Sequence, residues 1–341
     1  MKRVLVFQIA VVLVMALARS ALGEPAGLRF DRIEMPHHDR RARTAIWYPS
    51  AGGGDISEVA GNGVFQGVKA AIWADIAPGQ HPVVLFSHGM GGSFRAQAWL
   101  AAGLAQQGAI VVAPNHPGSS WGDFDMTRGV RHWSRVADLS ATLDWLLEEP
   151  AFRGHVDHTR IMAAGFSFGG WTALSMGGAR GNHAGILATC RAHGAVMNAC
   201  PELLSEAVNL AGIEESVWNA AYRDERITHV AAIDPGFVWG LEAQDVAGLA
   251  GDVLLIGLGK GTTRMSATDF DASGLAQLLP KAEIARLAPA FHFTAMPLCR
   301  PEGEAILEEE KDDPVCSDPE GTSRKEVHRR ITTLIAQRLG L

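Results

Sequence analysis

The sequence predicts an α/β fold in which a mostly parallel central sheet carries helices on both faces. Three observations predict it. Short, continuous apolar runs alternate with longer segments of helical spacing, the order that a doubly covered parallel sheet requires. Each run is rich in Val, Ile, Leu and Ala and stops at a glycine, a proline or a polar cluster. A chain of 341 residues with 47% hydrophobic and 20% charged residues can also bury one large core.

The elements follow in order. Lys2 and Arg3 precede an apolar stretch from Val4 to Ala18, broken only by Gln8, and Ala21-Leu22-Gly23 puts small residues where a signal peptidase reads. Residues 1–23 are therefore expected to be a signal peptide cut before Glu24, leaving 24–341 as the mature domain, secreted or periplasmic. The stretch falls short of the roughly 20 residues of a membrane span, so no stable insertion is expected after cleavage. No cysteine follows it to take a lipid. Arg43–Pro49 reads as a strand ended by proline, and Ala51–Asp55 as a flexible glycine loop. The chain from there to Gln80 is weakly patterned and reads as irregular.

Pro82–Phe86 is a buried strand that runs into Ser87-His88-Gly89-Met90-Gly91-Gly92. Ala96–Gln107 is a helix stopped by Gly108, and Ala109–Ala113 a strand closed by Pro114-Asn115-His116-Pro117-Gly118. From Ser134 to Glu149, apolar residues at 136, 139, 143, 146 and 147 give helical spacing, ended by Pro150. Arg160–Ala164, His229–Ile233 and Asp252–Ile256 are further strands, and Ala282–Leu287 fits either a helix end or a short strand. The last helix runs from Ser323 to Leu339. Ser323 is its N-cap and Glu326 the return half of a capping box. His328, beside Arg329 and Arg330 on this helix, reads as solvated.

A segment of about 177–228 interrupts the alternation. It holds Cys190, Cys200 and an amphipathic stretch from Leu203 to Trp218. It reads as a lid over the site or as a helical insertion packed on the sheet. Export makes the four cysteines informative: local pairs Cys190–Cys200 and Cys299–Cys316 are expected. Net charge is −7 with no long basic run, which gives nucleic acid or an anionic membrane nothing to hold. No phosphate loop, complete dinucleotide fingerprint or metal-ligand spacing is visible, so neither cofactor nor metal is expected.

The chemistry gathers at Gly165-Phe166-Ser167-Phe168-Gly169. An apolar strand precedes it and a helix-like segment, Trp171–Met176, follows. Strand, G-x-S-x-G and helix together describe a nucleophile elbow, with glycines where side chains would collide around a sharp turn. A serine needs a base and the base an orienter, and in this arrangement both follow the serine in the chain. Of the later histidines only His292 lies in a loop after the last strand. The strand ending at Ile256 exits into Gly257-Leu258-Gly259 with no carboxylate, whereas the preceding one ends in Asp234. Asp234 is therefore the expected acid, with Asp269 and Asp271 in reserve. An oxyanion hole needs two N–H donors, expected from Phe168, just after the serine, and from Met90, after the flexible Gly89. His88 is expected to hold that loop rather than to move protons.

These residues resemble the serine α/β-hydrolases of the predicted dienelactone hydrolase and platelet-activating factor acetylhydrolase type. The matching stretches are Trp47-Tyr48-Pro49, Ser87–Arg95, Arg135-Val136-Ala137-Asp138, Gly165–Gly170, Ala232-Ile233-Asp234 and Phe291-His292-Phe293. The resemblance implies the α/β-hydrolase fold and supports Asp234 as the acid and Met90 and Phe168 as the oxyanion donors. It implies hydrolysis of short- or medium-chain esters, small-molecule substrates, without a cofactor. Dienelactone hydrolases proper use a cysteine where this chain has Ser167. An amidase, peptidase or acyltransferase on the same residues, or a non-catalytic binding protein on this fold, remains open.

Overall fold

A computed structural model describes residues 24–194, 197 and 199–341. The expected signal peptide, 1–23, lies outside the described residues. Ten strands form one sheet. From one edge to the other they are Glu283–Leu287, Asp252–Leu258, His229–Ile233, Val156–Phe166, His81–Ser87, Ile110–Pro114, Arg40–Tyr48, Gly27–Met35, Val68–Ile72 and Asp55–Val59. The first six run parallel to one another. Arg40–Tyr48 pairs antiparallel on both its sides, so the N-terminal third makes a mixed edge.

The parallel strands bury both faces, and their residues divide between two cores by the two-residue period of a strand. Val84, Phe86, Leu254 and Ile256 face one core, with the helices Ala98–Gln106 and Arg324–Arg338. Val83, Leu85, Val253 and Leu255 face the other, with the helices His132–Glu148 and Phe168–Met176. At roughly 1.5–3 kcal/mol for each large side chain buried, this packing dominates the stability of the domain.

Several sequence expectations need correction. The chain between 50 and 76, read as a loop and irregular segment, forms strands at Ser50–Gly52, Asp55–Val59, Val68–Ile72 and Asp75–Ile76. Their polar and small residues hide the pattern, because the Asp55–Val59 strand has no buried residue. Ala282–Leu287 resolves as a strand, paired with Asp252–Leu258. The Leu203–Trp218 stretch takes the form of short turns at Cys200–Leu203, Leu210–Gly212 and Glu215–Trp218. His328 is buried, stacked on Trp99 at 3.7 Å, with its Nε2 bonded to the carbonyls of Thr294 and Met296. Ser323 does cap the last helix, accepting from the Glu326 N–H at 3.3 Å. The Glu326 carboxylate, however, pairs with Arg329 instead of closing the box. Both expected disulfides are present, Cys190–Cys200 and Cys299–Cys316. Among the described residues no helix is long and apolar enough to cross a membrane.

Candidate active site

The sheet register assembles the site. Phe166 lies opposite Ile233, and Ile233 opposite Ile256, so the parallel strands end level with one another. The next residues on two adjacent strands are Ser167 and Asp234, side by side at the carboxyl edge. His292 begins a short turn, His292–Ala295, after the edge strand has ended at Leu287.

Ser167 takes φ 57°, ψ −122°, outside the ordinary basins for a residue with a Cβ, and sits as N-cap of the Phe168–Met176 helix. The glycines around it are steric necessities. A Cβ on Gly165 would stand 2.1 Å from the Gly169 carbonyl oxygen, and one on Gly169 would stand 1.9 Å from that of Ser87. The turn is fastened by Ser167 N–H donating to Ile233 O at 2.9 Å and by Gly236 N–H donating to Ser167 O at 3.0 Å.

Three side chains then form a string. Ser167 Oγ lies 3.1 Å from His292 Nε2, and His292 Nδ1 lies 2.6 Å from Asp234 Oδ2. The imidazole is buried and stacked on Phe166 with centroids 4.6 Å apart. Asp234 is fully buried. Its Oδ2 also accepts from Thr268 Oγ1 at 2.7 Å, and its Oδ1 from Leu258 N–H at 2.9 Å and from Arg264. Burial alone would raise the pKa of this carboxyl. The His292 hydrogen bond, the charges of His292 and Arg264 and the Leu258 N–H outweigh it and hold the pKa below the usual carboxylate range. The acid therefore stays ionised, and one of its oxygens remains aimed at the imidazole. The reserve acids are engaged elsewhere: Asp271 pairs with Arg286, and Asp269 accepts from backbone N–H groups of its own turn.

The loop after Ser87 passes over the serine. A Cβ on Gly89 would stand 3.4 Å from Ser167 Cβ. Among the described residues neither the Met90 N–H nor the Phe168 N–H makes a backbone bond outside regular helix and strand pairing. His88 holds this loop, as expected, bonding Gly89 O at 2.7 Å and Ser120 Oγ at 3.0 Å. Burial, with the nearby Arg135 charge, pushes its pKa well below the ordinary imidazole value, so it is neutral.

Behind the loop lies a network that no sequence motif announced. Arg135 is buried, and its guanidinium donates to the His88 carbonyl, to Ser119 Oγ at 2.6 Å and to Ser87 Oγ at 3.1 Å. It also lies over the Phe168 ring at 4.8 Å. Burial lowers its pKa to about 9, against the raising effect of Asp138, so it remains a cation at neutral pH. Ser87, His116 and Asp138 form a second serine–histidine–aspartate string, at 2.9 and 2.8 Å. All three are buried, and none of them lines the pocket. This string lies behind the loop after Ser87, away from the pocket lining. The signal available was Arg135-Val136-Ala137-Asp138, which carries family resemblance but no chemistry that a sequence shows. Arg264 and Thr268 were missed for the same reason: neither lies in a motif.

A pocket of about 860 Å³ opens at Ser167 and His292, within the range of small-molecule sites. Met90, Phe237, Phe293 and Leu307 line it, and Ile186 and Leu203 of the 177–228 segment form part of its wall.

A model of the alpha/beta hydrolase family matches residues 83–331, and the chain belongs to that family. Among solved structures it is similar to a ferulic acid esterase from Streptomyces cinnamoneus, with TM-score 0.57, 18% identity, 92% of this chain covered and 88% of that one. It is also similar to a dienelactone hydrolase-like promiscuous phosphotriesterase from metagenomic libraries, with TM-score 0.53, 13% identity, 93% of this chain covered and 98% of that one. These likenesses agree in fold with the resemblance seen in the sequence. No curated protein matches the chain.

Proposed function

We propose that the protein is an exported serine hydrolase that cleaves short- or medium-chain carboxylic esters through an acyl-enzyme. One observation carries the reading: Ser167 Oγ, the two nitrogens of His292 and an ionised Asp234 lie in a single hydrogen-bonded line at the mouth of an apolar pocket.

Ser167 attacks the ester carbonyl carbon while His292 Nε2 takes its proton. Asp234 holds the Nδ1–H tautomer and offsets the imidazolium charge. The carbonyl oxygen, now negative, turns to the N–H groups of Met90 and Phe168. His292 gives its proton to the leaving alcohol, and a water repeats the sequence to release the acid. The apolar wall suits an acyl chain, and the 177–228 segment serves as a lid over it. The two disulfides are compatible with export, and cleavage before Glu24 is checked by sequencing the exported protein from its N-terminus.

Ser167→Ala is expected to abolish hydrolysis of p-nitrophenyl acetate and butyrate and labelling by a fluorophosphonate probe, with the circular dichroism spectrum unchanged. Turnover retained by this variant would refute the assignment. A panel of ester, amide and alcohol-acceptor substrates separates an esterase from an amidase or acyltransferase.

A further inference from the structure

The turn Pro36–His38 joins the antiparallel strands Gly27–Met35 and Arg40–Tyr48 and carries two consecutive histidines. Beneath it lies Asp138, buried on the His132–Glu148 helix and about a hundred positions further along the chain. His37 Nε2 is 2.9 Å from Asp138 Oδ1, and His38 Nε2 is 3.2 Å from the same oxygen. The three ligand atoms all lie within 4.8 Å of one another. None of these residues lines the pocket at Ser167.

Hydrogen bonding leaves one atom of the cluster, His38 Nε2, unaccounted for. His38 Nε2 is buried and has no hydrogen-bond partner, although it lies beside a carboxylate oxygen. If this nitrogen carries its lone pair, it faces an anion. If it carries a proton, the proton misses its acceptor. Either arrangement leaves a buried polar atom unsatisfied, at a cost of roughly 1–3 kcal/mol. His37 Nε2 is itself partnered, 2.9 Å from Asp138 Oδ1 and 3.2 Å from the Ser134 carbonyl oxygen, so a cation among the three atoms would take the place of that bond and give His38 Nε2 the partner it lacks.

The spacing and the surroundings agree. Bonds of about 2.0–2.2 Å to a tetrahedral ion put neighbouring ligand atoms roughly 3.3 Å apart, and both histidine nitrogens are near that distance from the carboxylate oxygen. The other oxygen, Asp138 Oδ2, is held by His116 Nδ1 at 2.8 Å, and His116 Nε2 is held in turn by Ser87 Oγ at 2.9 Å. An outer ring of this kind orients a ligating carboxylate.

We propose that His37, His38 and Asp138 bind a divalent ion of the zinc class. Two imidazole nitrogens and one carboxylate oxygen suit zinc better than calcium or magnesium, which take oxygen ligands. His37 is partly exposed, which gives the ion a way in and leaves room for a water as fourth ligand. The ion would clamp the N-terminal hairpin onto the helix that carries Arg135. No spacing motif could show this site, because two of its ligands and the third come together only through the fold.

The test uses the purified exported protein, stripped with a chelator and titrated with zinc by calorimetry. Cobalt absorption in the visible range serves as a second readout. One ion per chain is expected, with micromolar or tighter affinity, and with a Tm several degrees higher when zinc exceeds its Kd about a hundredfold. His38→Ala and the milder His38→Gln should each weaken binding at least about tenfold and remove the Tm rise. His37→Ala should do the same, and fluorophosphonate labelling should persist in all three as evidence of folding. Failure of the parent protein to bind zinc at 100 µM would overturn the proposal. Unchanged stoichiometry and affinity in the His37→Ala/His38→Ala double variant would overturn it too, since the ion would then be held by other histidines.

Discussion

Ser167 occupies a strained backbone conformation, and its neighbours make that strain tolerable. Departures of this kind cost of order 1–3 kcal/mol, here offset by a backbone bond to the adjacent strand and one from Gly236. Asp234 is also at positive φ, 45°. Two of the three proposed triad residues thus sit where the chain leaves a strand abruptly. Asp234 answers to more than His292, because Thr268, Arg264 and the Leu258 N–H share its two oxygens. Asp234→Asn is expected to lower kcat by about 10³–10⁴ while leaving the fold intact, because the amide supports the wrong imidazole tautomer. Asp269→Asn and Asp271→Asn should stay within about threefold of the parent. A steady-state comparison of the three variants on p-nitrophenyl butyrate checks this. At this scale chain order singled out Ser167, Asp234 and His292, three side chains that the fold brings into hydrogen-bond contact. His328 shows the opposite failure: flanking arginines suggested solvent. Yet it is three residues before Ile331 and four after Arg324, on the helix face that packs inward, and that spacing was readable.

Secondary-structure elements position the site through register. The parallel strands end level, so two neighbouring strands deliver Ser167 and Asp234 together. The strand His81–Ser87 lies alongside, with Ser87 opposite Gly165, and delivers the loop that carries the proposed oxyanion donor Met90. The apolar runs that form these strands are visible in the sequence because both their faces are buried. The strands between 50 and 76 were not visible, because an exposed edge needs no apolar pattern. The 177–228 segment is tied by Cys190–Cys200, which links the helix His183–His193 to the Cys200–Leu203 turn across a separation of 10 residues. Closing a loop of that size is worth roughly 2–3 kcal/mol through the unfolded chain. Cys190→Ala/Cys200→Ala is expected to lose about that much in urea unfolding. It should also raise KM for p-nitrophenyl butyrate more than for the acetate, since Cys200 and Leu203 line the pocket. Equal KM changes for the two esters would mean that the segment does not contact the acyl chain.

Across the whole molecule, buried imidazoles make stability depend on pH. His132, enclosed by Trp133, Trp171, Trp218 and Tyr222, bonds the Trp218 carbonyl, and burial lowers its pKa to about 4. His328 is likewise lowered to about 4 by burial, with Arg324 adding to the effect. Both are neutral in the fold, whereas in the unfolded chain they would take up protons near pH 6.5. The unfolded state therefore binds more protons than the folded state between about pH 6.5 and 4, and stability falls as pH drops through that window. The contribution is full above pH 6.5, and each histidine removes up to about 1.4 kcal/mol per pH unit below it. Urea unfolding at pH 7 and pH 5 should show the loss, and His328→Gln should reduce it. An equal loss in that variant would exclude His328 as a source.

The sequence by itself determined the layered α/β architecture, the serine turn and the order of its partners. Each of these follows from local rules: apolar periodicity, glycines at a sharp turn and the sequence order that the strand-end arrangement requires. The tertiary structure alone decided what surrounds them. Arg264 on Asp234, Arg135 on the His88 carbonyl and Asp138 under His37 and His38 all join residues about 30 to 100 positions apart. Their partners are chosen by sheet register and helix docking, and polar contacts of that range leave no periodic trace in the chain.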